Sequence, residues 1–259
     1  MIRNSWLAQS PAIKLFPKTW YFLRFYFKPI IRVVLSILIP IQIIALIGTY
    51  LAQTAGIMAL IGWTIFIIAS IGGQLWLTSA LIYQGLSITL FHDQPRLEAL
   101  LKISTRYVKP LLVIYIVIYL FILGLAMLPM MMITVLSGNV PGEAAQTIQL
   151  FTLFLVFFLV YPRLLLAPFF MIEEELRPTA ALRKSNEITR RHRPKVNLIF
   201  FGVIFINLIM LLVGLISSFL SFLSAVLVVP FSVFMQMFLY VDLKLADGLF
   251  SRETVAEQT

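Results

Sequence analysis

Residues 110–136 read PLLVIYIVIYLFILGLAMLPMMMITVL, a stretch without a single charged side chain. A helix needs roughly 20 such residues to cross a hydrocarbon core of about 30 Å. An open strand would leave its backbone groups unpaired in lipid, so the stretch predicts a transmembrane helix. Five further stretches are comparably long and apolar, which predicts six spans at about 30–51, 58–90, 110–136, 147–171, 196–216 and 219–241.

The composition agrees with a protein that folds in lipid. Hydrophobic residues make up 61% of the chain and charged residues only 12%, whereas soluble domains contain about 45–50% apolar and about 25% charged residues. The alternation typical of β-barrel strands is missing. We therefore predict an all-α, polytopic transmembrane helical bundle that forms a single integral membrane domain over residues 1–259. Small residues at Ala69, Gly72 and Gly73 predict close helix packing.

Basic residues flank alternate ends of the spans. Six lie before the first span or in its first turn, four lie between spans two and three, and seven lie between spans four and five, whereas the loops on the opposite side carry only Glu143. Cytoplasmic loops are enriched in lysine and arginine, so both termini are predicted to be cytoplasmic. Because the net charge of +9 is concentrated beside membrane spans, anionic lipid headgroups explain it and no nucleic-acid partner is expected.

A basic residue followed by proline stands at the start of three spans, at Lys28-Pro29, Lys109-Pro110 and Arg193-Pro194. Proline suits the first turn of a helix, so each junction predicts the beginning of a membrane helix. The junctions recur at similar intervals. This favours three quasi-repeats, 1–90, 91–171 and 172–259, each an interfacial helix followed by two spans, although short matches also arise by chance in a biased sequence.

The segments before the first two junctions are amphipathic. Ile13, Phe16, Trp20, Leu23 and Phe27 recur at helical spacing, as do apolar residues within 97–108. Basic amphipathic helices serve as ordinary anchors or as surfaces that recognise anionic lipid or a soluble partner. Six basic residues are candidates for headgroup binding: Lys28, Lys109, Arg190, Arg191, Arg193 and Lys195.

Arg163 is the most unusual single residue because it lies inside the fourth apolar stretch. A guanidinium in the bilayer costs about 2.5–3.5 kcal/mol on insertion scales and should face a partner or a wet cavity. The flanking prolines, Pro162 and Pro168, can expose carbonyl groups that help to satisfy it. Asp242 or Gln236 in span six is the expected partner, while snorkelling to the surface and a functional polar site are the alternatives.

No catalytic or cofactor motif is found. The phosphate-binding run GxxxxGK[ST], the zinc helix HExxH and the serine elbow GxSxG all fail to occur. The carboxylates of Glu173–Glu175 are expected to form solvated salt bridges beside excess arginine and lysine and not to act as acids or bases. With zero cysteines, disulfides and thiolate metal sites are excluded. We expect no enzymatic activity, no metal and no cofactor.

Short motifs in the second half resemble a known family. They are the run YPRLLLAPFFMIEEE at 161–175, then ALRKS at 181–185, and YVDLK at 240–244. They are similar to the YciC-type family of bacterial inner-membrane proteins, and to the membrane domain fused to some bacterial glycerophosphodiester phosphodiesterases. The phosphodiesterase barrel is missing, so no catalytic role carries over. The resemblance implies a six-span protein of the bacterial cytoplasmic (inner) membrane, connected with envelope or lipid physiology.

Two hypotheses about function follow. The first is a non-enzymatic membrane protein that binds lipids, anionic ones in particular, or a membrane-protein partner or second copy of itself; the basic interfacial segments motivate it. The second is a small transporter or channel that uses a polar site around Arg163, motivated by that residue and by the proline-bearing spans. An intramembrane enzyme would need reactive side chains gathered at one depth, and the sequence offers no such group.

Overall fold

The structure, a computed structural model, describes residues 11–137, 142–216 and 218–249. Six segments of this part are helices long and apolar enough to cross a membrane, and no strand occurs in it. The predicted all-α bundle with six spans is therefore confirmed. The predictions for Arg3 and for the loop at 138–141 lie outside the described residues. The helices are α1 (Ala12–Phe25), α2 (Phe27–Ala52), α3 (Ile57–Leu90), α4 (Leu97–Ser137), α5 (Gly142–Leu164), α6 (Ala167–Glu173), α7 (Pro178–Arg191), α8 (Arg193–Ile216) and α9 (Ser218–Ala246).

Helices α2 and α3 form a hairpin whose backbones approach closely at two glycines. A Cβ atom on Gly62 would lie 2.2 Å from the backbone nitrogen of Ala52, and one on Gly48 would lie 2.7 Å from that of Phe66. In lipid, the association of helices depends on close contacts of this kind. The predicted site at Gly72 is wrong, because a Cβ there would meet no atom within 4 Å.

Helix α9 is the buried centre of the bundle. It packs against α1, α2, α3 and α8, and residues 237–244 are all buried. Helix α1 docks on it through Phe22, whose ring lies 5.1 Å from that of Phe234 and 5.3 Å from that of Phe238. Of the predicted stripe, Ile13, Trp20 and Phe27 are exposed, Trp20 by 59%, whereas Phe16 and Leu23 are half-buried against the core. Helix α1 thus packs the face that carries Phe22 against α9 and exposes the face that carries Trp20.

The three lysine-proline or arginine-proline junctions do not behave alike. Helices α2 and α8 begin within two residues of Pro29 and Pro194, as predicted, but α4 runs from Leu97 through Pro110 without a break. The separate interfacial helix predicted before Pro110 is therefore wrong. Ser104 explains why the segment before Pro110 packs against α3 and does not form a separate interfacial helix. Its hydroxyl accepts a hydrogen bond from Trp76 Nε1 at 2.8 Å, and its carbonyl accepts one from Ser79 Oγ at 3.0 Å. These contacts hold the first turns of α4 against α3. The three-unit repeat stays a prediction.

Candidate functional site

Span four is interrupted beside Arg163. Helix α5 ends at Leu164 and α6 begins at Ala167, with Pro168 in its first turn. Proline has no N–H to donate to the carbonyl four residues earlier, and its ring crowds that carbonyl, which favours a break before Pro168, although α2 and α9 each continue through a proline. Arg163 therefore stands at the end of a membrane helix and not in the middle of a continuous one.

Helix α7 supplies the hydrogen bonds that the interruption removes. The Ser185 hydroxyl donates to the carbonyl of Arg163 at 2.9 Å and accepts from the backbone N–H of Leu166 at 3.2 Å. The Thr189 hydroxyl, one turn later, lies 3.0 Å from the same Arg163 carbonyl. Both hydroxyl residues are buried. Since an unpaired buried backbone group costs about 1–3 kcal/mol, these contacts fix α7 against the interruption.

Arg163, an exposed residue, lines a small pocket between α5, α7 and α8. The pocket has a volume of about 120 Å³, and its polar lining consists of Arg163, Thr189, Arg193 and Asn197. We call this the basic pocket. Phe158, Leu159, Pro162 and Val196 form its apolar wall. Within the described part of the chain, neither arginine forms an ion pair with a carboxylate.

The electrostatics of the basic pocket favour an anion. Two exposed arginines from different helices, Arg163 and Arg193, line it, and no acidic residue is among its described lining residues. Arg193 and Asn197 belong to the beginning of α8, where the helix dipole is equivalent to about half a positive charge. Arginine binds phosphate or carboxylate oxygens in a bidentate manner. The arrangement is therefore suited to hold one phosphate-sized anion.

The predicted contact between Arg163 and Asp242 is not formed. Asp242 is 1% exposed and pairs with Lys195 of α8. The reason is the packing of α9, which lies against α8, α1, α2 and α3, so its carboxylate reaches α8 and not the end of α5. Gln236 is half-buried on α9, and among the described residues it forms no hydrogen bond with Arg163.

A partly buried ionic cluster joins α6, α7 and α9. Lys244 Nζ donates to Glu173 and to Glu174, each at 2.9 Å, Lys184 pairs with Glu174, and the Tyr240 hydroxyl donates to Glu173. The predicted salt bridging is confirmed; the Lys184–Glu174 bridge is partly exposed as expected, whereas Lys244 is only 4% exposed, so its bridges are more buried than predicted. Two carboxylates face two ammonium groups, so charge balances within the cluster. It stabilises the junction of α6, α7 and α9.

The two lysines determine the direction of the pKa shift of Glu174. Burial alone opposes ionisation of the Glu174 carboxyl, but hydrogen bonds from Lys184 and Lys244 outweigh it and lower the pKa of Glu174 below its ordinary value. The carboxylate stays ionised at neutral pH and is paired on both oxygens. A group held in this way is structural and poorly suited to proton transfer.

The other predicted headgroup residues are distributed over the surface. Lys28, Lys109 and Arg190 are exposed. Arg191 lies 3.3 Å from Asp247 and 3.4 Å from Glu187. Of the six candidates, Arg193 is the one that joins Arg163 in the basic pocket.

Sequence reasoning missed the two hydroxyls of α7 and Asn197. Ser185 was part of a quoted motif but had no assigned role. The usable signal was the pair Pro162 and Pro168, since a proline pair inside an apolar stretch implies freed backbone groups that another element must satisfy.

A separate apolar groove runs along α1. It has a volume of about 510 Å³ and lies between α1, α2, α8 and α9, with Trp20, Leu23 and Phe231 in its walls and Arg24 as the one charged residue lining it. A groove of this composition in a membrane protein is complementary to acyl chains.

The described residues contain no group of three histidine, aspartate or glutamate side chains close enough to hold a metal ion. No protein-family model, no curated protein and no solved structure matches the chain. The resemblance to the YciC-type family therefore stays a prediction.

Proposed function

We propose that this integral membrane protein is non-enzymatic and binds an anionic phospholipid, with the lipid phosphate held in the basic pocket. The observation that carries the proposal is that Arg163 of α5 and Arg193 of α8 line one pocket of about 120 Å³ whose described lining has no carboxylate. Two arginines match a phosphate in charge and in hydrogen-bond geometry.

The surroundings of the pocket support a lipid as the source of that phosphate. Phe158 and Leu159 lie on the last turns of α5 and continue the pocket as an apolar wall, and Leu159 is 55% exposed. A phosphate at the arginines would therefore place its acyl chains along apolar side chains. The groove along α1, with Arg24 beside it, offers the same combination of charge and apolar surface elsewhere on the bundle.

The proposed location is the bacterial cytoplasmic membrane, with both termini in the cytoplasm, because the basic residues flank one set of span ends. The chain has no cysteine, so single cysteines report orientation directly. Thr54→Cys, in the turn between α2 and α3, should react with an impermeant maleimide from outside the cell. Asn186→Cys on α7 should react only after the membrane is opened. The reverse pattern would contradict the orientation.

Lipid binding is tested by native mass spectrometry of the protein released from nanodiscs. Discs contain phosphatidylglycerol and phosphatidylcholine, and the variants are Arg163→Gln, Arg193→Gln and the matched control Arg190→Gln, which lies on α7 outside the pocket. A charge-assisted hydrogen bond contributes about 1.5–3 kcal/mol, so each pocket variant should weaken phosphatidylglycerol binding by roughly 10- to 150-fold. The control should retain it. Equal loss in all three variants, or no preference for the anionic lipid, would contradict the proposal.

The alternative, a small transporter or channel around Arg163, is less favoured by this geometry. Arg163 lines a pocket at the end of α5 beside a second arginine, and the intramembrane carboxylate of Asp242 pairs with Lys195 instead. An ion pathway would need Arg163 and Asp242 to face each other or to line a common cavity. Solute flux into liposomes that is abolished by Arg163→Leu would favour the transporter over lipid binding.

A further inference from the structure

A second cavity lies between α3, α4 and α5 and shares no lining residue with the basic pocket. Its volume is about 750 Å³. Ile71, Leu75, Leu112 and Ile116 form apolar walls. The polar side chains that line it are Ser70, Gln74, Thr78, Tyr115, Tyr119 and Tyr161, and none of its lining residues carries a charge.

Most of these polar groups lack a partner inside the protein. The Thr78 hydroxyl donates to the carbonyl of Gln74 at 2.8 Å. Among the described residues, the side-chain amide of Gln74 and the hydroxyls of Tyr115, Tyr119 and Tyr161 form no hydrogen bond. Gln74 is an exposed residue of an apolar membrane helix. Because an unsatisfied polar group in hydrocarbon costs several kcal/mol, four such groups converging on one cavity imply an occupant.

The depth of the cavity limits what that occupant is. At 1.5 Å per residue, Tyr115 and Tyr119 lie about 9 and about 15 Å along α4 beyond Lys109, the last basic residue before this span. Phosphate groups remain at the level of the basic residues. Tyr115 and Tyr119 lie deeper than that level, but Tyr161 is only two residues before Arg163, so the uncharged lining, together with these depths, indicates an uncharged lipid.

We propose that this cavity binds an uncharged lipid whose polar part carries carbonyl oxygens. The amide N–H groups of Gln74 and the phenol O–H groups of the three tyrosines donate to those oxygens. The apolar walls from α3 and α4 take the hydrocarbon chain. Diacylglycerols and isoprenoid quinones are the two membrane sources of this chemistry, and the experiment separates them.

The test uses the full chain in phosphatidylcholine nanodiscs with photoactivatable analogues of a diacylglycerol and of an isoprenoid quinone, each in its own arm. Cross-linked peptides are located by mass spectrometry, and the yield against analogue concentration gives an apparent Kd. At least one analogue should label segments 70–78 or 112–119. Gln74→Leu and Tyr161→Phe should each raise its apparent Kd about fivefold, the equivalent of one ordinary hydrogen bond.

Gln42→Leu is the matched control, because Gln42 is also an exposed glutamine of a membrane helix but does not line the cavity. It should leave the apparent Kd unchanged. Both cavity variants remove polar atoms without changing size greatly, so the bundle should stay folded. If neither analogue labels these segments above the control level, or if Gln74→Leu and Gln42→Leu behave alike, water fills the cavity and the proposal is wrong.

Discussion

Replacing Gly62 by alanine should push α2 and α3 apart. The new Cβ would stand 2.2 Å from the backbone nitrogen of Ala52 and 2.6 Å from the carbonyl oxygen of Gly48, both well below the ordinary contact range of 3.4–4 Å. Both neighbouring atoms belong to the backbone, so no side-chain rotation relieves the clash. Overpacking of this kind costs about 1–3 kcal/mol.

The same substitution at Gly72 is the matched control, because it lies on the same helix and its Cβ would enter open space. Gly72→Ala should stabilise by up to about 1 kcal/mol through helix propensity. Gly73→Ala should fall between the two, since the atoms it meets belong to the flexible Ile41 side chain, the nearest at 2.3 Å.

The assay is thermal unfolding in detergent, followed by tryptophan fluorescence. At about 2–4 °C per kcal/mol for a chain of this size, Gly62→Ala should unfold at least a few degrees below Gly72→Ala. The expected order of Tm is Gly72→Ala, then Gly73→Ala, then Gly62→Ala. Equal Tm values for Gly62→Ala and Gly72→Ala would refute the close approach of the two backbones.

Three further predictions concern the end of the bundle that carries α1 and α7. Ser185→Ala should destabilise by about 1–3 kcal/mol in the same unfolding assay, because the buried N–H of Leu166 loses its partner. Lys244→Met should destabilise by about 3–5 kcal/mol, since it leaves Glu173 and Glu174 without the ammonium they share. The pKa of Lys18 is lowered from 10.5 to about 8 by burial and then by repulsion from Lys195, so acylation of Lys18, followed by mass spectrometry across pH, should reach half its maximum rate near pH 8 and at higher pH in Lys195→Gln.

Each of these has its own control. Asn186→Ala lies beside Ser185 on the exposed face of α7, and Lys14→Met removes an exposed lysine; both should unfold as the unchanged protein does. Equal effects of Ser185→Ala and Asn186→Ala would show that the α7 hydroxyl does not stabilise the interruption of span four. A half-maximal rate for Lys18 near pH 10.5 would show that its amine is solvated.

The span architecture could be predicted because hydrophobic length is a local property. Segment 110–136 needs no knowledge of its neighbours to be identified as a membrane helix, since lipid forces its backbone to pair within itself. The same holds for the amphipathic α1 and for the lack of strands in the described residues. The segment before Pro110 was predicted wrongly because Trp76 and Ser79 of α3 hold Ser104, and a contact between helices is invisible to local periodicity.

The candidate site shows the same difference between local properties of the sequence and contacts between helices. The sequence by itself determined that Arg163 was costly in an apolar stretch and that Pro162 and Pro168 would free backbone groups. Only the tertiary structure decided that Ser185 satisfies those groups, that Arg193 joins Arg163, and that Asp242 belongs to Lys195. The physical reason is that hydrophobicity and proline geometry act within one helix, whereas the partner of a charge depends on which helices pack together, and many pairings satisfy the same six spans.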